Sequence, residues 1–164
     1  MARIVCPDST VSSPLPFGTV ANSAPRFLVD ARLDAGNISG VGAQFTADAA
    51  TYDERYFSSS VSEAIRKILS ASGVEPGNVR AILDIGCGSG NATFGLAKFF
   101  PDARIIASDL SPDLLQILGR RAEAAGMSDR ISLLVANAET LTLEQDSFDL
   151  ICGSSMLHHL QDPD

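Results

Sequence analysis

The chain has 164 residues, of which 45% are apolar and 20% are charged, so it is long enough to bury one hydrophobic core and is expected to form a single domain. Its 20 acidic and 12 basic residues give a net charge of −8, which opposes binding to a polyanion and disfavours nucleic acid as a partner. The three cysteines are odd in number and widely spaced, and no apolar run is long enough for a signal peptide or a membrane span. These features predict a soluble protein of the reducing cytoplasm, without a disulfide framework.

The first 50 residues differ in composition from the rest of the chain. They are rich in Ser, Pro, Gly and Ala and contain only short apolar pieces, such as residues 27–29. We therefore expect residues 1–50 to form a flexible or loosely docked segment. Further along, Ser60 and Glu63 have the spacing of a capping box, and a one-face apolar pattern then predicts a helix that Gly73 ends.

Strands and helices alternate through the remainder of the chain. One helix is predicted from Asn91 to residue 100, and a second begins with Ser111 as its N-cap and Pro112 in its first turn, and stops near Gly126. A further helix start is predicted in residues 154–160. The alternation implies a parallel sheet with right-handed crossovers. Its four strands are predicted at residues 79–84, 103–109, 131–135 and 148–152.

The turn after the first of these strands is the most informative motif, and it reads Asp-Ile-Gly-Cys-Gly-Ser-Gly over residues 84–90. Glycines at alternate positions let the backbone approach a ligand without Cβ atoms in the way, and the amides of the following helix start attract anionic groups such as carboxylates. The acid that begins the motif, Asp84, would repel a pyrophosphate but suits an ammonium group. The alternative is a tight turn that binds nothing.

The glycine spacing argues against the better-known nucleotide motifs. The dinucleotide fingerprint places its third glycine three residues after the second, whereas the glycines here fall at residues 86, 88 and 90 and residue 91 is Asn. NAD and FAD are therefore poorer matches, and the Walker pattern is absent from the sequence.

A second acid, Asp109, ends the second predicted strand. There it can accept hydrogen bonds from both hydroxyls of a ribose lying over the glycine turn, although a solvated strand-end residue or a helper cap for the next helix is the alternative. Because Asp84 and Asp109 sit at the carboxyl ends of adjacent parallel strands, they place a ligand in the crevice where such sheets bind.

From about residue 79 to residue 164 the chain resembles the class I S-adenosylmethionine-dependent methyltransferases of the small-molecule type. Four ordered motifs carry the resemblance: Leu-Asp-Ile-Gly-Cys-Gly-Ser-Gly at 83–90, Ser-Asp-Leu-Ser at 108–111, Asn-Ala-Glu at 137–139, and Phe-Asp-Leu-Ile at 148–151, which leads to Met-Leu-His-His-Leu at 156–160. The resemblance implies an α/β fold with a Rossmann-like parallel sheet, strand order 3-2-1-4, and helices on both faces. The sheet of that family has seven strands, so residues 51–164 would be the N-terminal, cofactor-binding part of a methyltransferase domain truncated after its fourth strand.

The resemblance also assigns roles to the first two motifs. Asp84 would serve the ammonium group of S-adenosylmethionine, often through water. Asp109 would take the ribose hydroxyls, and Leu110 would pack on the adenine face. At Gly86, Gly88 and Gly90 the backbone would lie close to the cofactor.

The third motif departs from the commoner family pattern, because Asn137 stands where most relatives have Asp. An amide oxygen can still accept a hydrogen bond from the exocyclic amine of adenine, so the contact should be weakened and not lost. The backbone amide of Ala138 would reach an adenine ring nitrogen. The alternative for Asn137 is a plain turn residue after a strand.

Other side chains are open to two interpretations. His158 and His159 are adjacent and point about 100° apart on a helix, so they do not easily serve one site, and no metal site is expected because no further ligand stands at metal-binding spacing. His159 is a weak candidate for accepting a proton from a substrate, against the favoured interpretation that it packs or caps a helix start. Tyr52, Tyr56 and Phe57 either fold over the cofactor or form one face of a docking helix.

The implied activity is methyl transfer from the sulfonium of S-adenosylmethionine to a small-molecule acceptor. Since the fourth strand would lose its usual neighbour, its exposed apolar edge is a place for association, and the chain alone is expected to be marginally stable and weakly active or inactive. One alternative is a non-catalytic, cofactor-binding or docking partner of a full-length methyltransferase. An NAD-dependent oxidoreductase is less favoured.

Overall fold

The computed structural model describes residues 26–29, 49–141, 143, 145–157 and 160. No helix among them combines the length and apolar character needed to cross a membrane. In chain order the elements are β1 (Arg26–Val29), α1 (Ala49–Tyr56), α2 (Ser59–Ser72), a 3₁₀ turn (Pro76–Asn78), β2 (Ala81–Ile85), α3 (Asn91–Phe99), β3 (Arg104–Asp109), α4 (Pro112–Ala124), β4 (Ile131–Val135) and β5 (Leu150–Gly153).

The strands form one parallel sheet in the order β1-β4-β3-β2-β5. For the four predicted strands this order is 3-2-1-4, so the predicted Rossmann-like fold is confirmed. The fifth strand, β1, was not predicted from the sequence, and it pairs with β4 from Arg26 opposite Ser132 to Val29 opposite Val135. Most of residues 1–50 lie outside the described residues, so the domain boundary at residue 50 stays a prediction.

Local side-chain chemistry sets the ends of α2. Its N-cap is Ser58, which has an extended backbone (φ −147°, ψ 129°). The Ser58 side chain accepts a hydrogen bond from the Ser60 amide at 3.2 Å, as a helix cap requires. The predicted cap, Ser60, is wrong by two residues because Ser60 already lies inside the helix. The predicted stop is confirmed, since Gly73 follows the helix with φ 77°.

The start of α4 agrees with its sequence signal. Ser111 accepts a hydrogen bond from the Leu114 amide at 3.3 Å, and Pro112 occupies the first turn. The chain leaves the helix through Gly126, which has φ 66°. Both predicted ends of α4 are therefore confirmed, and the helix begins three residues after the last residue of β3.

The two faces of the sheet are covered differently. The first face packs against the apolar sides of α3 and α4, and its core includes Ile82, Ile105, Leu133, Leu96, Phe100 and Leu118. On the second face, Leu83, Ile106 and Leu134 pack against Leu141, Leu143 and Phe148 of the connection between β4 and β5. Among the described residues, helices α3 and α4 thus lie on the first face.

One outer strand of the described sheet is β5. Within the described chain β5 pairs with β2 alone, and Ile151 is 54% exposed. The carboxyl ends of β2, β3, β4 and β5 all meet at one edge of the sheet, called the carboxyl edge below, because the strands are parallel.

Candidate functional site

A cavity of about 660 Å³ opens at the carboxyl edge. Its lining combines the glycine turn, the ends of β3 and β4, part of α1 and the segment after β5. Six residues assigned to the cofactor from the sequence line it: Gly86, Gly88, Asp109, Leu110, Asn137 and Ala138. The remaining two, Asp84 and Gly90, are not among its lining residues.

The three glycines of the turn differ in what their missing side chains permit. All have positive φ, at 64° for Gly86, 54° for Gly88 and 104° for Gly90. A Cβ on Gly86 would lie 2.6 Å from the Met156 Cβ, and one on Gly90 would lie 2.8 Å from the Phe94 ring, so both glycines are needed for packing. A Cβ on Gly88 would meet no atom within 4 Å, so this position leaves open the space that a ligand would occupy.

Asp84 lies fully buried at the carboxyl end of β2. Its Oδ2 accepts a hydrogen bond from the Thr93 hydroxyl at 2.6 Å, while its Oδ1 is buried without a hydrogen-bond partner in the described structure. Burial raises the pKa of Asp84 to about 7, against the opposing effect of the Thr93 hydrogen bond and with a smaller contribution from the charge of Asp109. This carboxyl group therefore sits among buried groups and does not contribute to the cavity wall.

Asp109 faces the cavity and organises the turn around it. Its Oδ2 accepts a hydrogen bond from the Gly88 amide at 2.7 Å, and its Oδ1 accepts one from the Ser111 amide at 2.9 Å. Each carboxylate oxygen has two lone pairs, so accepting one of these hydrogen bonds does not by itself prevent an oxygen from accepting another. The proposed ribose contact and the alternative role as a helper for the next helix are thus compatible in one side chain.

The third motif closes the cavity on the β4 side. Asn137 and Ala138 both line it, and the Asn137 Oδ1 accepts a hydrogen bond from the Glu139 amide at 3.0 Å, which is the turn geometry typical of Asn. Among the described lining residues the charged side chains are Asp109 and Glu139, with no Lys or Arg. The local field therefore favours positively charged ligand groups.

An aromatic wall, defined as Tyr52 and Tyr56 of α1, closes another side of the cavity. The two rings lie 4.6 Å apart between centroids, and both residues line the cavity. Burial, Tyr56 and the charge of Asp109 raise the pKa of Tyr52, consistent with its position near the site. Phe57 instead packs under a guanidinium, that of Arg121, 3.5 Å from the ring centroid. Of the three aromatics, two belong to the cavity and one to helix docking.

Two residues that the sequence did not identify hold this wall. Asn91 donates from Nδ2 to the Tyr56 carbonyl at 3.1 Å and accepts at Oδ1 from the Ser58 amide at 2.9 Å. Arg121 forms an ion pair with Asp53, whose pKa lies below its usual value because hydrogen bonds from Arg121 and Ser89 outweigh the effect of burial. Neither contact has a local sequence signal, since the partners are 35 and 33 residues apart for Asn91 and 68 residues apart for Arg121.

The weak catalytic candidate, His159, lies outside the described residues, as does His158. The part of the chain that the structure describes contains no cluster of three or more side chains suited to hold a metal ion.

Comparison with known proteins gives an independent finding. Residues 82–164 match the family model described as a methyltransferase domain. The chain is 33% identical over 138 residues to a malonyl-[acyl-carrier protein] O-methyltransferase of Hahella chejuensis, a match that covers 83% of this chain and 46% of that protein. It is 38% identical over 104 residues to a release factor glutamine methyltransferase of Chlorobaculum tepidum, covering 63% of this chain and 35% of that protein. The chain thus spans less than half the length of both relatives.

Solved structures agree with the architecture. A SAM-dependent methyltransferase from Aquifex aeolicus superimposes with a TM-score of 0.53 and 21% sequence identity, over 60% of this chain and 52% of that one. At this identity the match supports the fold.

Proposed function

Since this chain belongs to the methyltransferase family and has the class I fold of its S-adenosylmethionine-dependent members, we propose that its cavity binds S-adenosylmethionine for methyl transfer to a small-molecule acceptor. The observation that carries the proposal is the convergence of three separate sequence motifs on one cavity. Residues from the glycine turn, from the end of β3 and from the segment after β4 all line it. The described residues would form the cofactor-binding part of the enzyme.

The cavity fits this cofactor in size and in charge. Its volume of about 660 Å³ lies within the range of small-molecule sites, roughly 300–1,000 Å³. Asp109 would hold the ribose hydroxyls, Leu110 would pack on the adenine face, and Asn137 and Ala138 would contact the adenine edge. The open space at Gly88 gives the backbone side of the turn room for the ligand.

The same charges favour a sulfonium cofactor over a dinucleotide. A pyrophosphate would meet the carboxylates of Asp109 and Glu139, and no Lys or Arg lines the described part of the cavity to neutralise it. S-adenosylmethionine brings an ammonium group and a sulfonium, both of which such a field stabilises. The NAD-dependent alternative is therefore the weaker of the two.

When bound, the cofactor supplies a methyl group already activated by a positively charged sulfur. The chain's own residues would then bind and orient it and keep water away from it, which is the part of catalysis that positioning provides. The aromatic wall is placed to exclude water on one side. Asp84 would act through an intervening water, because its carboxyl group does not line the cavity, and His159 remains the candidate for accepting a proton from the substrate.

The acceptor side of the cavity lies after β5. Its described lining residues, Ser154, Ser155, Met156 and Leu160, are uncharged, which supports an acceptor without a phosphate group. We place the reaction in the cytoplasm, where Cys87 and Cys152, both free, would remain reduced. We also propose that another protein segment associates with the exposed edge of β5 and supplies the rest of the acceptor side.

Titration calorimetry with S-adenosylmethionine and S-adenosylhomocysteine tests the assignment. We expect both ligands to bind the folded chain and Asp109→Ala to weaken binding about 10- to 100-fold, the effect of losing hydrogen bonds to a charged group. A matched control is Asp102→Ala, because Asp102 is an exposed acid that pairs with Arg80 at the opposite edge of the sheet. Equal affinities for the two variants, or binding of NAD without binding of S-adenosylmethionine, would contradict the proposal.

A further inference from the structure

Arg121 connects three separate segments of the chain from its place on α4. Its Nη1 and Nη2 donate to the two carboxylate oxygens of Asp53 in α1, both at 2.7 Å. Nη1 also donates to the Ser89 carbonyl of the glycine turn at 3.3 Å. The guanidinium carbon lies 3.5 Å from the centroid of the Phe57 ring, just after α1. One side chain therefore joins α1, the glycine turn and α4.

The environment makes this contact stronger than an ordinary surface ion pair. The side chains of Arg121 and Asp53 are 30% and 12% exposed, whereas those of the comparable Arg66–Glu63 pair on α2 are 49% and 46% exposed. Partial burial reduces screening by water, and the planar fork of arginine matches a carboxylate with two parallel hydrogen bonds. Stacking on Phe57 adds a cation–π contact.

Besides Arg121, the Asn91 side chain holds helix α1, through its hydrogen bond to the Tyr56 carbonyl. Of its eight residues only Ala49 and Asp53 are buried, and Asp53 is the partner of Arg121. The residues that flank this anchor in the chain, Tyr52 and Tyr56, form the aromatic wall of the cavity. The position of the wall therefore depends on a side chain that is not itself among the lining residues.

We propose that Arg121 is a positioning residue that holds the aromatic wall over the cofactor cavity and ties it to the glycine turn. Arg121 sets cofactor affinity without touching the cofactor. This inference rests on the proposed function for the identity of the ligand, S-adenosylmethionine, but the placement of the wall is independent of it.

The sequence provides a direct probe of the wall. The chain contains two tyrosines and no tryptophan, so its intrinsic fluorescence above that of phenylalanine comes from Tyr52 and Tyr56 alone. Acrylamide quenching of the ligand-free full chain then measures how well α1 covers the cavity. The variants are Arg121→Gln, Asp53→Asn and the double variant, and Arg66→Gln is the control that breaks a two-hydrogen-bond pair elsewhere.

We expect Arg121→Gln and Asp53→Asn to raise the quenching constant about twofold and to weaken S-adenosylmethionine binding about tenfold, while Arg66→Gln changes neither. The double variant should be no weaker than either single variant, because both remove the same contact. Arg121→Lys keeps the charge but loses the fork, so it should restore only part of the affinity.

Wild-type quenching in both single variants would overturn the inference, and so would weakened binding without a change in quenching. If Arg121→Gln lost its fold, Asp53→Asn would test the same contact from the other side. If the wild-type chain bound no S-adenosylmethionine, the proposed function would fail, while the quenching result would still decide the role of Arg121.

Discussion

Two aspartates, Asp149 near the amino end of β2 and Asp84 at its carboxyl end, have opposite electrostatic surroundings. At the amino end, the Asp149 carboxylate accepts hydrogen bonds from the Arg80 and Ala81 amides at 2.7 and 2.9 Å, and these hydrogen bonds lower the pKa of Asp149. At the carboxyl end, Asp84 is buried beneath the glycine turn with one oxygen lacking a hydrogen-bond partner in the described structure, and its pKa is raised to about 7. At the amino ends of the strands, the hydrogen bonds to Asp149 stabilise the ionised carboxylate. At the carboxyl edge, the buried Asp84 costs stability when ionised, and strongly shifted pKa values of this kind are common at functional sites.

Replacing Asp84 with Asn should produce the largest effect on pH dependence. The folded protein binds a proton on the Asp84 carboxyl group more tightly than the unfolded chain does, because the pKa of this group is raised on folding. The stabilisation that results is fully present below about pH 4 and is lost as the pH rises through about 7. The difference between 3.8 and about 7 corresponds to about 4 kcal/mol. Asp84→Asn should remove this decline in the free energy of unfolding.

Urea denaturation at several pH values between about 4 and 8 measures that slope. The overall stability of Asp84→Asn is not the test, because an amide nitrogen in place of the unpartnered oxygen brings its own cost. An unchanged slope in the variant would show that Asp84 is not the group that titrates.

Replacing Asp149 with Asn should give the opposite dependence on pH. Its lowered pKa means that the stabilisation is present above about pH 4 and is lost as the pH falls through the folded-state value. We expect Asp149→Asn to lose at most about 1 kcal/mol at neutral pH, since a neutral amide oxygen accepts the two backbone hydrogen bonds less strongly but solvent screens the exposed carboxylate. The same denaturation series, extended to about pH 3, should show the two proteins converging in stability. A constant difference across the series would contradict this account.

The sequence was informative wherever the signal was local. The Ser111–Pro112 start of α4 and the Gly73 stop of α2 followed from capping residues, whereas the strand order was implied by the family resemblance. The α2 start was misplaced because Ser58 and Ser60 are both good caps, and only the backbone at residue 58 is extended. The strand β1 was missed because its partner β4 lies about 100 residues away and the sequence around it, rich in Ser, Pro, Gly and Ala, contains only short apolar pieces.

The sequence indicated which residues lie near the cavity better than it indicated which way their side chains face. Six assigned residues line the cavity, but the burial of Asp84 and the packing role of Gly90 depend on which side of the turn each faces. Sequence spacing carries no such information. The contacts of Arg121 and Asn91 were not predicted because they join residues far apart in the chain.

The most direct test of the central claim, that the glycine turn is a ligand cradle as well as a tight turn, compares Gly88→Ala with Gly73→Ala. Both glycines have positive φ, 54° and 77°, and at neither would an added Cβ meet an atom within 4 Å. Both variants should therefore lose about 1 kcal/mol of stability from backbone strain. Only Gly88 lines the cavity, whereas Gly73 follows the exposed end of α2.

Calorimetric titration of both variants with S-adenosylmethionine should show wild-type affinity for Gly73→Ala and affinity weakened about tenfold or more for Gly88→Ala, because its methyl group would enter the ligand's space. Equal, wild-type affinity in the two variants would contradict the account and leave the turn with a purely structural role.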